Sequence, residues 1–241
     1  SPPHTRSTPP SRAPRGELFA HSDEVVVVQR IEPSTGRATA RFGAGRPVLR
    51  LDLEGIAVAE GRVWVVDSRG RLLAMPPGED DRIVPYEVFD SRLGTLCEVE
   101  GLTDDPVWST LLLACKQPYT DAGRGRLRLY HFSLTRRVLD GHPVVNMPLE
   151  ELHDLDLPAE LHPSGVDIHP ETDSYLVLAA REGLLVEVNR GGHPVAAVRL
   201  PRDRMPQAEG VAVGDDGTLW VATEGGDGPG RLFAWSWTPS R

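Results

Sequence analysis

Short apolar strings separated by polar, glycine- or proline-bearing steps run along the whole chain, and the same order of strings keeps returning. "LDLEGIAVAEGRVWVVDSRG" (51–70) is echoed by "QAEGVAVGDDGTLWVATEGG" (207–226). Looser copies stand at "CEVEGLTDDPVWSTLLLACKQ" (97–117) and "HPSGVDIHPETDSYLVLAAREG" (162–183). Each has a Glu-Gly or Ser-Gly step, a short apolar strand, a turn, and a second strand that ends in a polar residue. The motif glycines fall at 55, 101, 165 and 210, so the spacings are 46, 64 and 45 residues. Spacings of about 40–50 residues are those of a four-stranded propeller blade. The long one implies an insertion, for which the loop-like "KQPYTDAGRGR" is the natural candidate.

Within a unit the strand signals recur in order, from an inner strand a to an outer strand d. The second unit reads "EGIAVA", "RVWVVD", "RLLAM", "VPYEVF"; the last reads "EGVAVG", "TLWVAT", "RLFAWSW" and lacks a fourth strand. Upstream, "ELFAHSDE", "VVVVQRIE" and "RATARFG" supply b, c and d strands of a first unit, with "PSTG" as a turn. The expected fold is an all-β propeller of four-stranded antiparallel blades over residues 17–241. Five blades are expected, six if the long unit merges two. Residues 1–16 form an extended N-terminal segment that either closes the last blade, the expectation favoured here, or provides the first inner strand. A sandwich would not show such self-similarity, and a parallel α/β fold needs helices that only "PLEELHDL" resembles.

Composition narrows the partners. The net charge of −9 excludes a nucleic-acid or anionic-membrane surface as the main partner and favours cations. No apolar run reaches the roughly 20 residues of a membrane helix. The chain starts at Ser1 and shows no signal peptide, which fits either a trimmed periplasmic or secreted protein or a cytoplasmic one.

Aligned on their apolar centres, the b strands read "LFAHSD", "VWVVDS", "LLLACK", "LVLAAR" and "LWVATE". Their last positions are Asp23, Ser68, Lys116, Arg181 and Glu224, all polar. Because a and b run antiparallel, these tips lie beside the starts of the a strands, which carry Glu54, Glu100, Ser164 and Glu209. Two polar rings should therefore meet at one mouth of the central channel. Three glutamates around one axis need compensation. One solution is a cation, Ca²⁺ being the ion that takes carboxylate and carbonyl oxygens. The other is pairing, with Lys116 beside Glu100 and Arg181 beside Ser164 or Glu209. Lys116 is the only lysine of the chain.

Cys97 and Cys115 fall in one a/b hairpin and fit a disulfide or a pair of reduced core thiols equally. No nucleophile elbow, P-loop, H-E-x-x-H or C-x-x-C occurs. Among the histidines, His21 and His162 lie near the expected mouth as candidate bases, although ordinary packed or surface histidines are commoner. "EDDR" (79–82) and "GGDGPG" (225–230) read as exposed turns.

"DLEGIAV", "EVEGL", "HPSGV" and "AEGVAVGDDGTLWVATE" resemble the SdiA-regulated family of bacterial β-propellers, within the phytase-like and gluconolactonase-like group, over roughly residues 17–238. The resemblance implies a Ca²⁺ site at the channel mouth, with Glu54, Glu100 and Glu209 as its ligands, and an exported protein. Ser164 departs from the family pattern, and the first unit has no clear Glu-Gly. Two functions follow. One is a binding module that recognises a small-molecule or protein ligand at the mouth. The other is a metal-dependent hydrolase of phosphoesters or lactones, in which Glu224, Asp23 or His21 takes a proton and Lys116 or Arg181 holds an anion.

Overall fold

The structure, a computed structural model, describes residues 7–12, 17–224 and 230–236, the first of these as backbone. The rest of the N-terminal segment and residues 225–229 of the "GGDGPG" turn lie outside the described residues. Among those described, 21 strands form five sheets, one per blade.

Blade 1 is β1 (Ser7–Arg12), β2 (Leu18–Ser22), β3 (Val27–Glu32) and β4 (Arg37–Ala44). Blade 2 is β5 (Leu53–Ala59), β6 (Arg62–Asp67), β7 (Arg71–Met75) and β9 (Glu87–Asp90), while β8 (Arg82–Val84) crosses back to pair in parallel with β4. Blade 3 is β10 (Cys97–Asp105), β11 (Thr110–Pro118) and β12 (Arg126–Ser133). Its outer position is split between β13 (Val138–Leu139) and β14 (Val145–Pro148). Blade 4 is β15 (Gly165–Ile168), β16 (Tyr175–Ala179), β17 (Leu184–Val188) and β18 (Pro194–Arg199). Blade 5 is β19 (Ala208–Val213), β20 (Thr218–Thr223) and β21 (Arg231–Ser236).

Five blades, not six, account for the chain. The extra length of the third unit is spread over several places rather than held in "KQPYTDAGRGR" alone. These are the 3-10 turn Asp121–Gly123, the split outer strand and the 3-10 segment Leu149–Leu155. The N-terminal strand departs from the favoured expectation. It pairs with β2 and so completes the first blade, instead of adding a fourth strand to the last. It still closes the ring, because β1 packs between β5 and β19, the inner strands of blades 2 and 5.

The apolar strings are continuous because most inner and middle strands are covered on both faces. On β16, Val177 and Ala179 face the core between blades 3 and 4, whereas Leu176 and Leu178 face the core between blades 4 and 5. Trp64, fully buried, joins the core between blades 2 and 3. Phe19, Val28 and Phe42 meet Ile56, Val63 and Met75 between blades 1 and 2. Each side chain buried this way contributes about 1.5–3 kcal/mol, so the seams between blades hold the ring.

Candidate functional site

The Glu-Gly steps sit where pairing within each blade breaks. The register of β5 against β6 shifts between Leu53 and Gly55, that of β10 against β11 between Val99 and Leu102, and that of β19 against β20 between Ala208 and Gly210. A bulge inserts an extra residue and re-aims its side chain, and here the bulged residues are Glu54, Glu100 and Glu209. The glycines allow backbone to approach backbone at the axis. A Cβ on Gly55 would lie 2.7 Å from the amide nitrogen of Leu102, and one on Gly101, whose φ is +112°, would lie 3.1 Å from that of Val166. A Cβ on Gly165 would lie 3.1 Å from the carbonyl oxygen of Glu209. The repeated motif is thus a device for bringing one inner strand against the next while turning a carboxylate out of the ladder.

The three carboxyls form one electrostatic unit. Burial, then the charges of Glu100 and Asp52, push Glu54 up to about 9. Burial raises Glu209 to about 8, with a charge and a hydrogen bond from Glu224 adding to it. Burial lifts Glu100 to about 7, although its ion pair with Lys116 pulls the other way. Lys116 stays charged: burial works against it, but Glu100, Glu98 and Glu54 raise its pKa overall. The sequence-based pairing of Lys116 with Glu100 is therefore present.

Ser164 shows no such shift in register, and its hydroxyl donates to the carbonyl of Ala208 (3.0 Å) and accepts from the amide of Ala180 (3.0 Å). Where the other inner strands aim a carboxylate, this one spends its side chain on a tie to blade 5. The step before it differs too. The carbonyls of Asp23 and Ser68 accept the N–H of Leu53 and Val99 on the next blade (2.7 and 3.0 Å). The corresponding residue of blade 4 is Pro163, which has no N–H to give.

The remaining candidates divide. The Ser68 hydroxyl donates to Asp52 (2.8 Å), and Glu224 accepts from the side chain of Gln207 (2.9 Å), so both belong to the mouth network. Arg181 does not reach Ser164 or Glu209. It is well exposed and pairs with Glu160 (3.6 Å) and, more distantly, Glu182 (4.0 Å), because its strand ends where the chain turns outward to solvent. His21 is 2% exposed, and burial lowers its pKa to about 4 despite a contact from Nδ1 to the Ser22 carbonyl (3.2 Å). It is an interior histidine of the second strand of blade 1. His162 bonds through Nδ1 to Glu182 (2.8 Å). Cys97 and Cys115 form a disulfide that ties β10 to β11 beside Glu100 and Lys116.

Among the described residues, the set of three metal-binding groups whose ligand atoms all lie within 4.8 Å is Glu160, His162 and Glu182, not the glutamate triad. Sequence reasoning missed Glu160 and Glu182, since neither recurs at a repeated position; only their closeness to His162 in the fold brings them together. Arg181 and the His162–Glu182 bond already satisfy that set internally. The triad is linked by its shared electrostatics, with Lys116 paired to Glu100 and its charge felt also at Glu54 and Glu209.

No curated protein matches the chain. Among solved structures it is similar to a glutaminyl cyclase of Myxococcus xanthus, with TM-score 0.60, 13% identity, and 96% of this chain and 92% of that one covered. It is also similar to the PQQ-bound aldose sugar dehydrogenase of Streptomyces coelicolor, with TM-score 0.58, 15% identity and coverage of 95% and 93%. A luciferin-regenerating enzyme superposes with TM-score 0.57, 13% identity and coverage of 92% and 84%. Identities this low establish the fold alone. The sequence model of the SdiA-regulated family matches residues 140–231, from the outer part of blade 3 to the start of β21. The chain is a five-bladed β-propeller whose residues 140–231 match the SdiA-regulated family model.

Proposed function

We propose that the protein is a binding propeller that holds Ca²⁺ at its acidic mouth and, around that ion, recognises a small-molecule or protein ligand. The observation that carries this is the set of three inner-strand carboxyls raised to about 9, 7 and 8, with Lys116 as the cation among them. Carboxyls so raised are short of positive charge, and a hard divalent ion with oxygen ligands makes good that deficit. Glu54 and Glu209 would be the principal ligands, with Glu100 shared between the ion and Lys116. The Cys97–Cys115 bridge supports an oxidising compartment, periplasmic or extracellular.

Because the carboxyls hold protons near neutral pH, Ca²⁺ binding should release them. Calorimetry in two buffers of different ionisation enthalpy reads that release directly. Binding is expected to tighten as pH rises toward the Glu54 value of about 9. No heat at about 1 mM Ca²⁺, the weak end for extracellular modules, would overturn the reading. So would equal binding by Glu54→Gln and Glu209→Gln.

The Glu209–Glu224 pair favours a second reading. A protonated carboxyl hydrogen-bonded to a carboxylate can give and take a proton, as a hydrolase of phosphoesters or lactones requires. Turnover of a nitrophenyl phosphate or a simple lactone, lost in Glu224→Gln, would favour it over pure binding.

A further inference from the structure

The opposite end of blade 3, away from the glutamates, holds a cavity of about 420 Å³ walled by Trp108, Thr110, His131, Ser133, Arg136 and Asp140. It adjoins a second hollow of about 430 Å³ that shares Trp108, His131 and Asp140 and reaches His142. Volumes of roughly 300–1,000 Å³ suit small molecules.

Three features of this wall call for a ligand. The Thr110 hydroxyl lies on a residue that is 5% exposed and has no hydrogen-bond partner among the described residues. Buried hydroxyls are almost always satisfied, so an orphan on a cavity wall awaits something with a polar atom. His131, also 5% exposed, has Nε2 committed to Asp105 (3.2 Å), which fixes the ring and leaves Nδ1 for a ligand. Trp108, at the tip of the β10–β11 turn, is 62% exposed and stands 6.4 Å from the His131 ring. A large aromatic left in solvent beside polar groups is a shelf for an apolar face.

Charge then selects the class of ligand. Arg136 is paired with Asp140, and Asp105 is held by both Arg190 and His131. No unbalanced charge is left to draw an anion or a cation. What remains is an indole face, the three hydroxyls of Thr110, Ser133 and Thr135 and an imidazole nitrogen, which is the complement of a neutral molecule carrying C–H on one face and hydroxyls around its edge.

We infer that this cavity is a binding site for a neutral sugar of monosaccharide size, stacked on Trp108 and hydrogen-bonded by Thr110, Ser133 and His131. The site shares no residue with the acidic mouth and does not depend on a metal there.

The test is calorimetric and fluorescence titration of the full chain with free hexoses and N-acetylhexosamines, beside benzoate and sulfate as charged controls. At least one sugar should bind saturably. Trp108→Ala should weaken it on the order of tenfold and Trp108→Phe less, while Thr110→Val, which keeps the shape, should weaken it several-fold. Glu54→Gln should leave it unchanged. The inference is overturned if no sugar binds, which would make the Thr110 partner an ordered water alone. It is equally overturned if Trp108→Ala binds as well as the parent, if a charged control binds in the sugar's place, or if Glu54→Gln abolishes binding and so moves the sugar to the mouth.

Discussion

Strand β10 carries a buried acid at each end, and the two behave in opposite ways. Glu100, at the mouth, has a pKa raised to about 7 in spite of its ion pair with Lys116. Asp105, five residues further along and with no exposed surface, has its pKa lowered. Burial opposes ionisation in both, so the difference lies in their partners. Asp105 accepts from both arms of the Arg190 guanidinium and from His131, and Arg190 is itself anchored on Asp173 and on the hydroxyl and ring of Tyr175 (2.8 Å to the hydroxyl, 4.5 Å to the ring centre). Glu100 has a single ammonium, which also serves Glu54 and Glu98. A planar, multiply anchored guanidinium settles a buried carboxylate completely, whereas a lone lysine among several acids does not. One end of the blade is a finished structural joint. The other is left wanting charge.

The largest expected effect comes from breaking the finished end. Arg190→Met would strand the Asp105 carboxylate, and breaking such a pair costs about 3–5 kcal/mol. Urea unfolding would read it, and a loss under 1 kcal/mol would show that His131 alone suffices. Next comes the tie between the strands of Glu100 and Lys116. Replacing Cys97 and Cys115 with serine should cost about 3 kcal/mol for a loop of this length, measured against the same protein under non-reducing conditions.

A smaller effect distinguishes the two ends by sign. The mouth carboxyls keep protons in the native protein that an unfolded chain sheds near 4.5, so their contribution is full below that pH. It is lost as pH rises through about 7 to 9. Melting temperature of chelator-treated protein should therefore fall over that range. Glu54→Gln should flatten the fall, and Ca²⁺ should reverse it in the parent alone. Asp105 works the other way: its contribution is present above the ordinary aspartate value of 3.8 and disappears on acidification. His21 adds to the acid side, its contribution being full above 6.5 and lost as pH falls toward 4. Melting curves that rise from pH 7 to 9 without metal would contradict the account of the mouth. The smallest effect is on Trp108→Ala, which should change stability by no more than about 0.5 kcal/mol, as befits an exposed side chain kept for contact rather than packing.

Much of this architecture was legible because the repeat expresses a physical necessity. Gly55, Gly101 and Gly165 recur since each inner strand must pass close to its neighbour, and the glutamates recur since each bulge turns one residue out of the ladder. Strand identity followed from apolar strings covered on both faces. The ion pair of Lys116 with Glu100 could be read from the antiparallel placing of a and b. What repetition could not reveal is whatever occurs once. The Arg190–Asp105–His131 joint and the Glu160–His162–Glu182 set each join residues distant in sequence with no recurring spacing, and the orphan Thr110 hydroxyl has no orphaned counterpart among the described residues of the other blades' motifs. Arg181 misled because a shared position in an alignment fixes where a backbone lies but not which way a long, exposed side chain swings. The N-terminal strand misled for a related reason: its sequence "STPPSR" carries no apolar signal, so only its hydrogen bonds to β2 reveal its blade.

That strand also sets an order of events in time. Residues 7–12 are made before every other described strand of the propeller, yet β1 has β19 on one flank, some 200 residues later in the chain. Blades 2, 3 and 4 can zip against one another as they are made, each seam closing over a short separation. The first blade must keep one face unfinished until the last is synthesised, and closing so long a loop is the slow, entropically costly step. The first strand of the ring is thus the earliest of the described strands to be made and the last to be at rest.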